Sequence, residues 1–406
     1  MSLNSIMDFG FVIDRYGIFL TATFIFIGFM SFIYALATIT HKGHRLEYYI
    51  SLFLIILSGI GVALSRNLLF IFICWEIATF AVWRAVVFYR KVDQVSSGNV
   101  VFITNFVTAG IMLIGIGILY LQNGTFIITE IEKFDITAIT LLTIGIFTKS
   151  VILPVHFWLI PAYASIPSAI GGALAGIAEN LGLVLFFRLF SNNSNLPPDF
   201  FNIVAWIAVV SSLIAGGSAY RTNRLRYLLA YSTISQIAFI LLGFSVGGFF
   251  GTSGAMLYIL AHALAKSGLF YGVGTIEDVT GEANIKNISC MLRISPVLTV
   301  NMALLFSSIV GFFPMIGFFS KLMVVIGAVQ KNIYFGFVAI ASAIFTLLYS
   351  DRFYHELFYG EHCDIVDLKK ARKPGVVESG VVFILALLSL ILGILFYEIL
   401  GYIGGL

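Results

Sequence analysis

The sequence predicts an all-α polytopic membrane protein of about twelve transmembrane helices, in which two inverted five-helix repeats each contain a broken helix. Three observations lead there. First, 60% of the 406 residues are hydrophobic and only 11% are charged, whereas ordinary globular domains carry about 25% charged residues. Second, apolar runs long enough to cross a hydrocarbon core ~30 Å thick recur along the whole chain. Third, two of these runs hold an internal proline near a lysine, and the second follows the first at a distance of five runs.

The first run, at 16–39, lies in an N-terminal segment 1–47. Runs at 48–65, 67–88, 99–121, 137–160 and 168–190 make the first repeat, 48–190. Runs at 201–220, 227–248, 252–275, 294–328 and 332–350 make the second, 201–350. The remainder, 351–406, reads as a cytoplasmic loop and a C-terminal transmembrane helix at 376–404. The fourth run of each repeat is the interrupted one, with Lys149 and Pro154 in the first and Pro314 and Lys321 in the second. Proline cannot donate to the carbonyl four residues earlier, so the first of these helices should break just after Lys149. Five spans per unit is an odd number, so the second copy enters from the opposite side.

Basic residues sort by loop. One alternating set of loops holds Lys42, Arg45, Arg90, Lys91, Arg221, Arg224, Arg226, Lys286, Arg293, Arg352, Lys369, Lys370, Arg372 and Lys373; the other holds Arg15, Arg66, Lys133, Arg188 and Lys331. This bias puts the first set in the cytoplasm and both termini outside it, for a multi-pass protein of the plasma membrane.

Several classes are set aside. The three cysteines, Cys74, Cys290 and Cys363, have no paired spacing, which gives no disulfide framework, zinc site or iron–sulfur motif. No cofactor or metal is expected on the chain, and no nucleic-acid partner, because its basic residues are topological. The start MSLNSIMDFGFVIDRYG lacks a basic n-region and a cleavage site, so no signal peptide is read. GVGTIEDVTGE follows a membrane helix rather than a strand and is not a nucleotide loop. The loops leave no room for a catalytic domain.

Function therefore rests on the ionisable residues inside apolar runs, which are costly there and mark ion paths by default. Lys149 beside a helix break is the first candidate, with a structural, snorkelling lysine as the alternative. Glu76, in LLFIFICWEIATF, is its best partner within the repeat, and a purely structural ion pair is the competing reading. His262 and Lys266 stand four apart on one helix face and suit a proton relay. Lys321 mirrors Lys149 in the second repeat. Glu179 and Asn180 lie between the halves, where a bridging polar group or a packing carboxylic acid is expected, and His156 is a second candidate relay position. Arg84 reads as snorkelling, and Glu378 and Glu398 as interfacial.

Four segments carry a resemblance. KSVILPVHFWLIPAYASIPSA is similar to a KS followed by a P-x-H-x-W-L-P-x-A run and a Pro-Ser-Ala start, and RLRYLLAYSTISQ to a basic-x-LLAYSS-I-S-Q/H stretch. HALAKSGLF matches H-A-x-x-K-x-x-L-F, and PMIGFFSK matches P-x-x-G-F-x-S-K. In this order they resemble the antiporter-like subunits of respiratory complex I, membrane-bound hydrogenases, formate hydrogenlyase-type complexes and Mrp-type multisubunit sodium/proton antiporters.

The resemblance implies that Glu76 is the functional glutamate, Lys149 the first-repeat lysine, Lys266 the connecting lysine and Lys321 the second-repeat lysine near the exit. Two departures stand out. The family has about fourteen helices and this chain begins at the third; and where the family often has a lysine after the first broken helix, this chain reads AGIAENLG. The implied function is a proton-translocating subunit of a complex I-like or membrane-bound hydrogenase-type respiratory complex, working with other membrane subunits that supply the electron transfer. The alternative is a subunit of an Mrp-type sodium/proton antiporter, with sodium as the other candidate ion, and a non-pumping scaffold is the third reading.

Overall fold

A computed structural model describes residues 10–39, 44–191, 195–288, 291–359 and 372–404. Lys42, Lys369, Lys370, Cys290 and Cys363 lie outside them. The helices, in order, are α1 (Arg15–Thr38), α2 (Arg45–Leu64), α3 (Leu68–Val86), α4 (Val92–Asn123), α5 (Ile136–Lys149), α6 (Leu159–Ser165), α7 (Ser168–Phe190) and α8 (Phe200–Arg221). They continue with α9 (Leu225–Val246), α10 (Gly248–Thr280), α11 (Pro296–Val310), α12 (Ile316–Lys331), α13 (Ile333–Tyr359), α14 (Val376–Ile394) and α15 (Phe396–Gly404).

Among the described residues, 10 helices are long and apolar enough to cross a membrane. Each proline-interrupted run forms two shorter helices, α5 and α6 in the first and α11 and α12 in the second. The expected all-helical architecture is therefore present, and the breaks fall where the prolines put them. α5 ends at Lys149, and α11 ends at Val310 on Gly311, whose φ of 93° suits glycine. Leu153–Pro154 and Phe313–Pro314 are both cis.

Helix ends are capped locally. Asn67 accepts from the Leu69 and Phe70 amides (2.9 and 3.1 Å) and Asp135 from that of Thr137 (2.8 Å), satisfying donors that the first turn leaves open. Asp14 caps α1 through Gly17 N (2.6 Å) and also accepts from Arg188 and Arg66. Burial pushes its carboxyl up, but these bonds outweigh burial and hold it at about 2.

α7, α9 and α10 form the centre; the 18-residue span of α7 is 100% buried, against 33% for α4. Small residues make the close approach possible. Gly182 of α7 packs on Ile146 and Ser150, leaving no space for a Cβ, and Gly172 packs likewise on Tyr271. Polar ties hold α10 to α1 and to α7: Ser31 bonds Tyr271 (2.6 Å), Tyr34 bonds the Tyr271 carbonyl (2.9 Å) and Ser267 donates to the Gly172 carbonyl (2.8 Å). Such bonds average about 0.6 kcal/mol each in a bilayer.

The connecting segments gather on two opposite faces. Gly10, Arg66 and Ile128 meet on one, where Phe11 bridges Ser65 and Asn67 bridges Ile127. Tyr89, Lys91, Arg224, Glu282 and Arg372 meet on the other, around a cavity of about 790 Å³, where Arg224 bridges Asn284.

Candidate functional site

The break after α5 is a tightly tied turn. The indole of Trp158 donates to the Thr148 carbonyl (2.9 Å) and the amide of Ile152 to the Phe147 carbonyl (2.9 Å), capping carbonyls that a continuing helix would have used. Val151 is buried in this turn at φ 50°. For a β-branched residue that conformation costs on the order of 1–3 kcal/mol, and it persists because the surroundings fix it.

Lys149, 3% exposed, ends α5 beside this turn. Its ammonium donates to Thr79 Oγ1 (2.7 Å) and to the Trp75 carbonyl (3.3 Å) and lies 5.2 Å from the centroid of the Trp75 ring. The expected ion pair with Glu76 is not formed. Thr79 and the Trp75 carbonyl take the ammonium instead, while Glu76, half-buried on the same helix, keeps a buried Oε1 with no hydrogen-bond partner. The two groups remain within electrostatic reach of each other. Thr79, Asn105, Lys149 and Trp158 enclose a cavity of about 10 Å³ with Leu174 and Ala178 of α7, about the least that holds one water.

Leu174–Ala178 is a π-helical turn inside α7 that ends on Glu179. The Glu179 amide accordingly bonds back five residues, to Leu174 (3.1 Å), and Asn180 donates to the Gly176 carbonyl (3.0 Å). This turn fits the site pattern, since π-turns cluster where function displaces a helix from regular register. Glu179 is fully buried. Tyr163 OH donates to its Oε2 (3.1 Å) and also lies 3.3 Å from Thr233 Oγ1 of α9; Oε1 has no partner. Glu179 is in electrostatic reach of Lys266, and Lys266 of Lys321.

Tyr258, His262, Lys266 and Phe270 repeat every four residues along one face of α10, as helical geometry requires. Lys266 donates to Ser232 Oγ and to the Leu229 carbonyl (3.4 Å). His262 is fully buried with neither ring nitrogen bonded. Tyr258 bonds Gln236, which donates to Thr346 (3.0 Å) and Tyr349 (3.1 Å). Lys321 of α12 sits 5.4 Å from the Phe239 centroid and 5.6 Å from that of Tyr258, and its ammonium has no hydrogen-bond partner.

Lys321 is not the positional mirror of Lys149. Lys149 precedes its break and Lys321 follows its own; with Pro154 laid over Pro314, Lys149 meets Ile309. His156 lies half-buried in the first break with Nδ1 unbonded, and no hydrogen bond joins it to Lys149 or Glu179. Arg84 pairs with Glu47 rather than simply snorkelling, and Glu378 is buried, accepting from Arg372 (2.9 Å) and Gly375 N (2.6 Å). Glu398 is exposed.

The sequence reading missed Thr79, Tyr163, Ser232 and Gln236. The signal for the last two was present, because AYSTISQ puts hydroxyls and an amide at helical spacing in an apolar run. Among the described residues no His/Cys/Asp/Glu group has a metal-holding arrangement.

The profile of the family described as NADH:quinone oxidoreductase/Mrp antiporter, TM, matches residues 65–346. Among curated proteins, mnhA2 of Staphylococcus saprophyticus, by name an antiporter subunit, is 26% identical over 392 residues, covering 88% of this chain and 49% of its own length. The chain spans about half the length of the first curated relatives it matches. mnhD2 of Staphylococcus aureus, another antiporter subunit by name, is 24% identical, covering 86% of this chain and 72% of its own. In fold, the chain superposes on a chain of the Mrp complex from Dietzia sp. with a TM-score of 0.86 at 20% identity, covering 97% of this chain and 83% of that one. A chain of the membrane-bound sulfane sulfur reductase, an archaeal respiratory membrane complex, gives 0.88 at 18% identity, covering 97% and 82%.

Proposed function

Because the chain belongs to the NADH:quinone oxidoreductase/Mrp antiporter transmembrane family, we propose that it is a proton-translocating, antiporter-like subunit of a complex I-like or membrane-bound hydrogenase-type assembly. One observation carries the reading: Lys149, Glu179, Lys266 and Lys321, with half-buried Glu76 at one end, are spread across both halves of the bundle, and no ion pair is closed between them. Isolated charges at such depth cost several kcal/mol unless hydrated or paired, so a row of them kept apart suits transfer better than cohesion.

Lys149 holds the proton on Thr79 and the Trp75 carbonyl, and Glu76 tunes it, since a nearby carboxylate favours the charged ammonium. Displacing Glu76 lets the lysine release its proton through the water-sized cavity toward Glu179. From Glu179 the proton passes to Lys266, along His262 and Tyr258, to Lys321 and out. His156 is a side relay at the break. The repeats 48–190 and 201–350 are the two halves of this path, flanked by 1–47 and 351–406. The face with Lys91 and Arg224 is cytoplasmic, which leaves both termini outside. Neighbouring membrane subunits supply the driving reaction.

The names of the curated relatives favour a second reading, a subunit of an Mrp-type antiporter in which a sodium gradient takes the place of electron transfer. The test is proton uptake by proteoliposomes holding the purified complex. Lys149→Ala should remove most uptake with the complex still assembled, and uptake at the parent rate would refute the proposal. Uptake driven by an imposed sodium gradient, with no electron donor, would select the second reading.

A further inference from the structure

α6 is only seven residues long, too short to hold itself helical, yet it carries Tyr163, whose hydroxyl donates to Glu179. Its position is therefore set at its ends. At the start, Trp158 is tied to Thr148. At the far end, Arg226 of α9 donates to the carbonyls of Tyr163 (3.2 Å) and Ile166 (2.5 Å), to Ser168 Oγ (3.1 Å) and to Glu277 of α10 (2.7 Å). One guanidinium thus joins α9, α10 and both sides of the α6–α7 link. Its five donors in a rigid fork suit this task, and a lysine ammonium has neither the number nor the spread.

Arg226 lines the large cavity on the Lys91 and Arg224 face. Beneath it, the Tyr163 ring meets Phe270 edge-on (4.6 Å, 83°), with the guanidinium 6.0 Å from the Phe270 centroid. The Tyr163 carbonyl thus meets Arg226 at the cavity, while its hydroxyl meets Glu179 in the buried line.

We propose that Arg226 is a positioning residue for ion translocation: by clamping the end of α6 to Glu277, it keeps the Tyr163 hydroxyl on Glu179. This rests on the reading of Glu179 as part of the path. The Tyr163–Glu179 hydrogen bond is the quantity at stake, and its loss should lower translocation about tenfold.

A double-mutant cycle on the intact complex in proteoliposomes tests it, with translocation measured per assembled complex. Tyr163→Phe and Arg226→Gln should each lower the rate about tenfold, and the pair should do no more than either alone, because both act through one bond. Arg226→Lys keeps the charge near Glu277 for assembly and should also be insensitive to adding Tyr163→Phe. Effects that multiply, to about a hundredfold, or an Arg226→Lys complex with the parent rate, would overturn the proposal. Lys149→Ala is run alongside: if it pumps normally, the path itself is wrong, whereas its loss together with multiplying effects condemns only the role of Arg226.

Discussion

The two broken helices place their lysines in opposite chemical settings. Lys149 comes before its break and rests on a hydroxyl, a backbone carbonyl and the Trp75 ring, with Glu76 in electrostatic reach. Lys321 comes after its break and is met by two aromatic faces and no hydrogen-bond acceptor. Hydrogen bonds to a charged group are worth about 1.5–3 kcal/mol each, and desolvated cation–π contacts about 2. The proposed path accordingly takes Lys149 as the holding site and Lys321 as the releasing one. Two similarly broken helices thus carry different surroundings for their lysines.

The largest effect is expected where the two sites are joined. Glu179→Gln keeps the shape and a hydrogen-bond partner for Tyr163 but removes the carboxylate between Lys149 and Lys266. Proton uptake should fall at least about tenfold with assembly intact, because an amide cannot relay a proton and positioned proton-transfer groups contribute roughly 10²–10⁴-fold. An unchanged rate would mean that the two lysines work separately.

That link is also where sequence and structure part. The all-helical architecture, both breaks and the burial of Lys149, Lys266 and Lys321 were legible, because hydropathy, proline and intramembrane charge act locally along the chain. The partners were not. Whether Lys149 meets Glu76 or Thr79 depends on one turn of α3 and on how α5 is rotated against it, and a single sequence records neither. Glu179 was visible as a polar residue between the halves, but its aim depends on the π-turn at Leu174–Ala178, for which AGIAENLG has no plain signature. Arg226 was read as one more basic loop residue, since its four acceptors come from segments distant in sequence.

A smaller effect sharpens the contrast directly. Thr79→Val removes the hydroxyl under Lys149 and should lower uptake several-fold, roughly three- to tenfold. Phe239→Leu removes one aromatic face from Lys321 and should cost about threefold or less. If Phe239→Leu proved the more damaging, Lys321 would be the holding site and the assignment would reverse.

The smallest effect lies outside the path. Asp14→Asn keeps an acceptor for the α1 cap but loses the charge that pairs with Arg66 and Arg188, and should cost about 1 kcal/mol of stability with translocation per complex unchanged. The Asp14 carboxyl is held at about 2 in the fold, below its ordinary 3.8. A depressed carboxylate contributes stability above its unfolded value and loses it as pH falls through the folded one. In thermal unfolding, the gap between parent and Asp14→Asn should therefore be full at neutral pH and shrink from about pH 4 toward 2. A gap that did not narrow there would put the stabilisation elsewhere.

The contrast stands or falls on whether Lys149 titrates. Lys149→Arg keeps the charge, and arginine can still reach Thr79, but it does not release its proton at any working pH. The decisive measurement is proton uptake by proteoliposomes at matched complex content, with parent, Lys149→Arg and Lys149→Ala side by side. Both variants should lose most uptake. Parent-level uptake by Lys149→Arg would make Lys149 a structural charge and end its role as the carrier.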